Sequence, residues 1–135
     1  MTLQERLIQT PLPLNTESFC RLMDLGRYYV DKTLLIKSLI DSGSDMFLFT
    51  RPRRFGKTLN MSMVQTFFEK PCDGNDTSHY FKNLKIWQCG EKYTSEQGKR
   101  PVIALSFKDI KCGNYDDALN EIRKVIALEY KRHNE

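Results

Sequence analysis

The chain has 135 residues, of which 40% are hydrophobic and 28% are charged. This length and composition predict one folded domain and exclude a disordered chain or a collagen-like one. No run of 18 apolar residues is present, so we expect no membrane-spanning helix. The net charge of +4 is small. Its position is informative, because residues 46–68 hold four bases and no acid, while bases and acids balance over the other residues. A local excess of this kind favours a discrete anion, such as a phosphate, over general attraction to nucleic acid.

The four cysteines are widely spaced, at Cys20, Cys72, Cys89 and Cys112, and no pair forms a C-x-x-C motif. Reduced, unpaired thiols are therefore expected, and a cysteine–histidine metal site is not. The first residues show no basic segment followed by an apolar run, so no signal peptide is predicted. Together these features predict a cytoplasmic protein.

Residues 1–27 contain Pro11 and Pro13 and have weak periodicity, which predicts an irregular lead-in with a short helical turn over 18–24. Asp31 is the predicted N-cap of a helix that ends at Gly43. Further helices are predicted over 57–68 and 115–132, with a mixed connector between them. The connector has a polar loop at 71–77, a short amphipathic segment at 80–87 and a helical turn within 91–97.

Two apolar runs, at 46–49 and 101–107, have the length and composition of buried strands. Helices and strands alternate along the chain, a pattern typical of α/β folds with a parallel sheet. We therefore predict an α/β fold with a partial parallel sheet flanked by helices. Two strands alone do not make a stable open sheet, so either further short strands exist or the chain is part of something larger.

The candidate functional segment is the loop between the first apolar run and the next helix, T-R-P-R-R-F-G-K-T at 50–58. Its end matches the second half of the phosphate-binding pattern G-x-x-x-x-G-K-[ST], while Arg51 replaces the first glycine. Gly56 would let the backbone approach a phosphate, Lys57 would reach the β- and γ-phosphates, and the Thr58 hydroxyl would join the shell of Mg²⁺. An ordinary strand-to-helix turn and a loop holding nucleic-acid phosphates are the alternatives.

The role of the three arginines in this loop is open at the level of sequence. Arg51, Arg53 and Arg54 suit bidentate phosphate binding, but they could equally pair with carboxylates such as Asp31 or Asp109, or lie in solvent. Pro52 removes one backbone N–H from the loop, which would weaken binding. The residues predicted to bind a nucleotide are Arg53, Arg54, Phe55, Gly56, Lys57, Thr58 and Leu59, with Thr58 as the predicted metal ligand.

Three segments resemble the bacterial AAA-ATPase-like family, often described as predicted AAA-ATPases. They are Y-Y-V-D-K-T at 28–33, T-R-P-R-R-F-G-K-T-L-N-M-S-M at 50–63, and Q-G-K-R-P-V-I-A-L-S-F-K-D at 97–109. The resemblance covers about residues 12–132, and many members carry a C-terminal PD-(D/E)XK nuclease-like domain. It implies a P-loop NTPase fold over residues 28–135, with ATP and Mg²⁺ as the ligands.

The resemblance implies binding more than catalysis. Members of the family continue to a Walker B strand with acidic residues, and no apolar run ending in Asp-Glu follows residue 110. Asp109 follows a predicted strand, but a capping or ion-pairing role suits it better than metal binding. The expected function is thus nucleoside triphosphate binding by an ATPase-like fragment that does not hydrolyse alone.

Several further expectations follow from the same resemblance. In the sheet that the resemblance implies, the Walker B strand and the strand after it lie between the strands at 46–49 and 101–107. Those two strands are absent from this chain, so exposed apolar faces and self-association are predicted unless the two strands pair in another way or another chain fills the gap. Tyr28 or Tyr29 would either contact adenine or simply pack on the domain. The alternative functions are a basic module that contacts nucleic acid and the non-functional remnant of a truncated gene.

Overall fold

The computed structural model describes residues 11–12, 16–71 and 74–134. Five α-helices lie in these residues: α1 (Phe19–Asp24), α2 (Leu34–Ser42), α3 (Lys57–Phe68), α4 (Glu91–Thr94) and α5 (Tyr115–His133). Two short 3₁₀ turns, Ser78–Tyr80 and Trp87–Cys89, precede α4. The rest of the described chain is turn and irregular structure, apart from one isolated bridge.

The helix predictions are confirmed, and the local signals behind them are visible. The Ser18 side chain accepts a hydrogen bond from the backbone N–H of Arg21 at the start of α1. Gly43 ends α2 in the left-handed conformation, with φ of 60°. Asn114 caps α5 by accepting from the backbone N–H of Asp117 at 2.8 Å.

The predicted N-cap of α2 is wrong, because Thr33 occupies that position. The Asp31 carboxylate instead accepts hydrogen bonds from the backbone N–H and hydroxyl of Thr33, and from the backbone N–H of Lys85 at 2.8 Å. These bonds lower the pKa of Asp31 although burial opposes the shift. The Thr33 hydroxyl is buried and accepts from the backbone N–H of Ile86. Asp31 therefore joins the start of α2 to the 85–86 segment.

The α/β fold with a parallel sheet is also wrong: the structure is helical with coil, and no strand occurs among the described residues. Among the described residues, neither apolar run pairs with another segment in a ladder, and a strand without such pairing leaves its backbone groups unpaired. The single parallel bridge joins Glu69 to Arg100 and stops there. Beyond it, the backbone N–H of Ala104 donates to the Glu129 carboxylate rather than to another strand.

The core lies where α1, α2, α3 and the 81–93 region meet. Its buried residues are Phe19, Ile36, Met63, Phe67, Phe81, Ile86 and Tyr93. The ring of Phe81 stacks on Phe19 at 5.2 Å between centroids and meets Phe67 edge-on at 5.1 Å. This aromatic packing holds the C-terminal end of α3 against the rest of the molecule.

The two apolar runs lie outside this core and are exposed. Leu48 has 85% of its surface exposed and Ile103 has 73%. Ile126 and Tyr130 of α5 are exposed as well. This exposure agrees with the expectation that a chain lacking partners for the two runs would present apolar surface.

Candidate functional site

The loop over 51–56 leads directly into α3 and lies at the surface. Arg51, Arg53 and Arg54 are exposed, and Gly56 is half-buried. The turn thus lies at the surface, where a ligand can reach it. Lys57 begins α3, and Thr58 lies in its first turn with an exposed side chain.

The backbone of this loop alternates in handedness. Arg54 has φ of 67° and Gly56 has φ of 73°, while Phe55 between them has negative φ. Alternation of left- and right-handed residues is typical of a nest, a turn whose successive N–H groups face one concave side and bind anions, and residues 54–56 are called the nest below. Arg54 is the single non-glycine residue with positive φ in the described part of the chain. A non-glycine residue in this conformation is unusual and occurs preferentially at functional sites.

A side-chain contact closes the same loop. The Lys57 ammonium group donates a hydrogen bond to the main-chain oxygen of Arg51. Arg51 stands at the position of the first glycine of the phosphate-binding pattern. The ammonium group is therefore held over the loop, next to the residues that form the nest.

The three loop arginines, Arg51, Arg53 and Arg54, have no carboxylate partner among the residues that the structure describes. The ion pairs there involve other bases. The suggested pairing with Asp31 or Asp109 is therefore not found. Asp31 binds Thr33 and Lys85, and Asp109 lines a polar depression beside α5. Uncompensated cations beside a nest strengthen its attraction for anions.

Two depressions flank the loop. One, of about 360 Å³, is lined on its loop side by Arg54, Phe55, Gly56, Leu59 and Asn60, and on its other side by Leu22 and by Tyr28, Tyr29, Val30 and Lys32. The other, of about 640 Å³, lies between α3 and residues 102–106 and includes Lys57 and Thr58. The structure thus separates the predicted site residues: Arg54, Phe55, Gly56 and Leu59 line the first depression, and Lys57 and Thr58 the second.

Two predicted site residues differ from the others. Arg53 is exposed and lines neither. Leu59 also packs against the core, so its contribution is partly structural.

Asn60 was not predicted as a site residue. Its side-chain nitrogen lies 3.9 Å from the place that a Cβ on Gly56 would occupy. Four-residue spacing along α3 puts Asn60 one turn above Gly56 on the same face, and this spacing could have identified it.

Comparison with known sequences gives the family. The sequence model of the predicted AAA-ATPase family matches residues 13–135. The chain belongs to the predicted AAA-ATPase family. An uncharacterized protein in the vnfD 5′ region of Azotobacter chroococcum mcd 1 is 32% identical over 121 residues. The match takes in 87% of this chain but 21% of that relative, so the chain spans about a fifth of the relative's length.

No solved structure matches the chain significantly. Membership of the predicted AAA-ATPase family supports a nucleotide-binding, ATPase-like kind of protein in general. In the described ranges, no helix combines the length and the apolar character needed to cross a membrane.

Use of a nucleotide together with Mg²⁺ is general in the predicted AAA-ATPase family. The described residues contain no group of three or more His, Cys, Asp or Glu side chains suited to hold a metal ion. The Thr58 hydroxyl is exposed and has no hydrogen-bond partner in the part of the chain described. These residues fit a Mg²⁺ ion that is coordinated largely by nucleotide phosphates and water, with one protein hydroxyl added.

Proposed function

We propose that residues 53–59 bind the polyphosphate of a nucleoside triphosphate, with ATP as the expected ligand. The observation that carries this proposal is the exposed turn at Arg54, Phe55 and Gly56, immediately before α3, with positive φ at Arg54 and Gly56. The backbone N–H groups of the nest and of the first helical turn would donate to phosphate oxygens, and the dipole of α3 favours their negative charge. Family membership supports a nucleotide as the source of those phosphates.

The Lys57 ammonium group would exchange the Arg51 oxygen for a phosphate oxygen. An anionic oxygen is a stronger acceptor than a neutral carbonyl, so this exchange favours the bound state. Arg54 lines the depression of about 360 Å³ beside the nest and would contribute a bidentate contact from its guanidinium group. Thr58 would supply one oxygen to the Mg²⁺ that the phosphates carry, and the ion would neutralise phosphate charge.

Binding, rather than hydrolysis by this segment alone, is the activity proposed. Hydrolysis needs a group that positions the attacking water, in addition to cations around the phosphates. Asp109, the acid that follows the second apolar run, lines a depression with residues 111–112 and the first half of α5, away from both depressions that flank the loop. We therefore assign it no catalytic role.

The test is isothermal calorimetry with Mg²⁺–ATP on the wild-type chain, on Lys57→Ala and on Lys99→Ala. Lys99 is an exposed lysine that lines neither depression beside the loop, which makes it a matched control. We expect saturable binding by the wild type and the control, and loss of at least tenfold in affinity for Lys57→Ala. Equal affinities for all three proteins would refute the proposal.

A second candidate function is favoured by one observation. The exposed loop arginines accompany Phe55, whose side chain is 58% exposed. Basic groups beside an exposed aromatic ring suit a single-stranded nucleic acid, which combines phosphate contacts with base stacking. This function predicts binding of a single-stranded oligonucleotide that weakens steeply as salt increases. It also predicts that Arg51→Ala, Arg53→Ala and Arg54→Ala weaken this binding equally.

An absence of binding to ATP and to the oligonucleotide would favour a remnant without a function of its own.

A further inference from the structure

Residues 101–107, called the strap below, run beside α5 without packing into the core. Val102 is half-buried, and the other residues of the strap are exposed. No backbone–backbone hydrogen bond involves residues 101–106 in the part of the chain that the structure describes. Burial of apolar surface and a backbone ladder, which fix most segments in place, therefore contribute little to the position of the strap.

Three side chains near the end of α5 hold the strap instead. The Glu129 carboxylate accepts a hydrogen bond from the backbone N–H of Ala104 at 2.8 Å. The main-chain oxygen of Val102 accepts from the Arg132 guanidinium group at 3.0 Å and from the His133 ring at 2.8 Å. Glu129, Arg132 and His133 are half-buried and are called the clasp below.

The clasp is also tied to the end of α3. Arg132 donates to the carboxylate of Glu69, the residue after α3, as well as to that of Glu129. One guanidinium group thus joins the strap, α5 and α3. Hydrogen bonds that involve charged groups are stronger than neutral ones, so the clasp is the main attachment of the strap.

The position of the strap determines the shape of a depression near the phosphate loop. Residues 102–106 form one wall of the depression of about 640 Å³, and α3 forms the opposite wall with Lys57 and Thr58 at one end. Movement of the strap away from α3 would remove the first wall. Lys57 and Thr58 would then be open on a further side.

We propose that the strap opens locally, while the core stays folded, and that the clasp controls this opening. Segments with little buried apolar surface and few hydrogen bonds open at a lower free energy than the whole molecule. The core is held differently, since the backbone N–H of Ile86 donates to the buried hydroxyl of Thr33. The proposal does not depend on which ligand the depression binds.

The test is hydrogen exchange of single amides by NMR on the full chain, with and without low concentrations of urea. The Ala104 amide reports on the strap and the Ile86 amide on the core, each relative to its rate in an unfolded chain. Arg132→Ala removes the centre of the clasp and keeps the acceptor of the Ala104 amide. Arg132→Lys is a milder version that keeps the charge, and circular dichroism checks that each variant is folded.

Two control variants separate the strap from the core. Lys124→Ala removes an exposed ion pair on α5 that lies outside the clasp. Ile36→Val removes a methylene from a fully buried side chain of the core and does not touch the strap. Ile36→Val should speed exchange at Ile86 severalfold and leave Ala104 unchanged, because strap opening does not expose the core.

We expect the Ala104 amide of the wild type to be protected, but to exchange about tenfold or more faster than Ile86. Its rate should hardly depend on urea, since local opening exposes little surface, whereas the rate at Ile86 should rise with urea. Arg132→Ala should speed exchange at Ala104 about tenfold, because charged hydrogen bonds are lost. Arg132→Lys should have a smaller effect, and Lys124→Ala none.

Three outcomes would overturn the proposal. Equal rates and equal urea dependence at Ala104 and Ile86 would mean that the strap opens only when the whole molecule unfolds. An unprotected Ala104 amide in the wild type would mean that the clasp does not hold the strap shut. An unchanged rate at Ala104 in both Arg132 variants would mean that the clasp does not control the opening.

Discussion

The Lys57 ammonium group and the Arg51 main-chain oxygen are joined by a hydrogen bond that spans the loop before α3. The bond links the two ends of the segment in which Arg54 and Gly56 have positive φ. It thereby holds the loop in a closed shape without an acidic partner. In the proposed complex, the anionic oxygens of a phosphate would compete with this contact for the Lys57 ammonium group.

Gly56→Ala tests the nest, with Gly43→Ala as its matched control. Both glycines have positive φ, at 73° and 60°, and a new Cβ meets no atom closer than 3.9 Å at either position. Each substitution should therefore lower the free energy of unfolding by about 1–2 kcal/mol, measured by urea denaturation. Only Gly56→Ala should also weaken Mg²⁺–ATP binding. A similar loss of affinity in Gly43→Ala would mean that binding reports general stability.

Arg54→Gly separates the conformation of the loop from its charge. Glycine adopts the φ of 67° without strain, so stability should stay equal or rise by up to about 1 kcal/mol. ATP affinity should fall about tenfold, since a charged hydrogen bond is lost. Arg54→Ala removes the same charge but keeps the strain, and should show the same affinity with lower stability. Unchanged affinity in both variants would remove Arg54 from the site.

Stability should depend on pH through Glu129. Hydrogen bonds from Arg132 hold the pKa of Glu129 at about 2, well below its ordinary value, and the backbone N–H of Ala104 adds to the effect. A carboxylate with a lowered pKa in the folded state stabilises the protein above its ordinary pKa, near 4.5. This contribution is lost as the pH falls from about 4.5 toward 2.

The measurement for Glu129 is thermal unfolding between pH 7 and pH 3. We expect a level melting temperature down to about pH 5 and a decline below it, with a shallower decline for Glu129→Gln. Glu121→Gln is the control, because Glu121 forms an exposed pair with Lys124 that contributes little. Identical acid profiles for the wild type and Glu129→Gln would show that the Arg132 contact carries no net stability.

The exposed apolar runs predict self-association, measured by sedimentation velocity over a range of concentrations. Leu48 and Ile103 project most of their surface into solvent, one in each run. The double variant Leu48→Lys and Ile103→Lys should shift the chain toward monomer, because it places charge on both surfaces. Leu25→Lys, at an exposed position outside the two runs, should leave the association unchanged. A wild type that stays monomeric at every concentration contradicts this prediction.

Local sequence signals were sufficient to predict the helices and the position of the basic loop. The helix predicted over 57–68 matches α3, and Gly43 marked the end of α2. Caps, periodicity and glycine positions act within a few residues, so they operate whatever the rest of the chain does. For the same reason the run of bases at 51–57 identified the anion-binding candidate.

The two apolar runs show where local signals are insufficient. Their composition is that of strands, but a strand exists only when another segment pairs with its backbone, and neither run has such a neighbour among the described residues. Asp31 is a similar case: a good N-cap by type, it binds the distant Lys85 backbone instead. Pairing and long-range hydrogen bonds depend on which segments meet, and this information does not lie within either segment.

The amino-acid sequence thus determined the helices, the basic loop and the family to which the chain belongs. Three-dimensional packing alone decided that Tyr29 is tied to the core through Phe19 while the adjacent Tyr28 is more exposed, although both line the same depression. The physical reason is that side-chain availability depends on contacts between segments far apart in the chain, such as Phe19 against Tyr29, whereas helices and glycine turns depend on neighbouring residues.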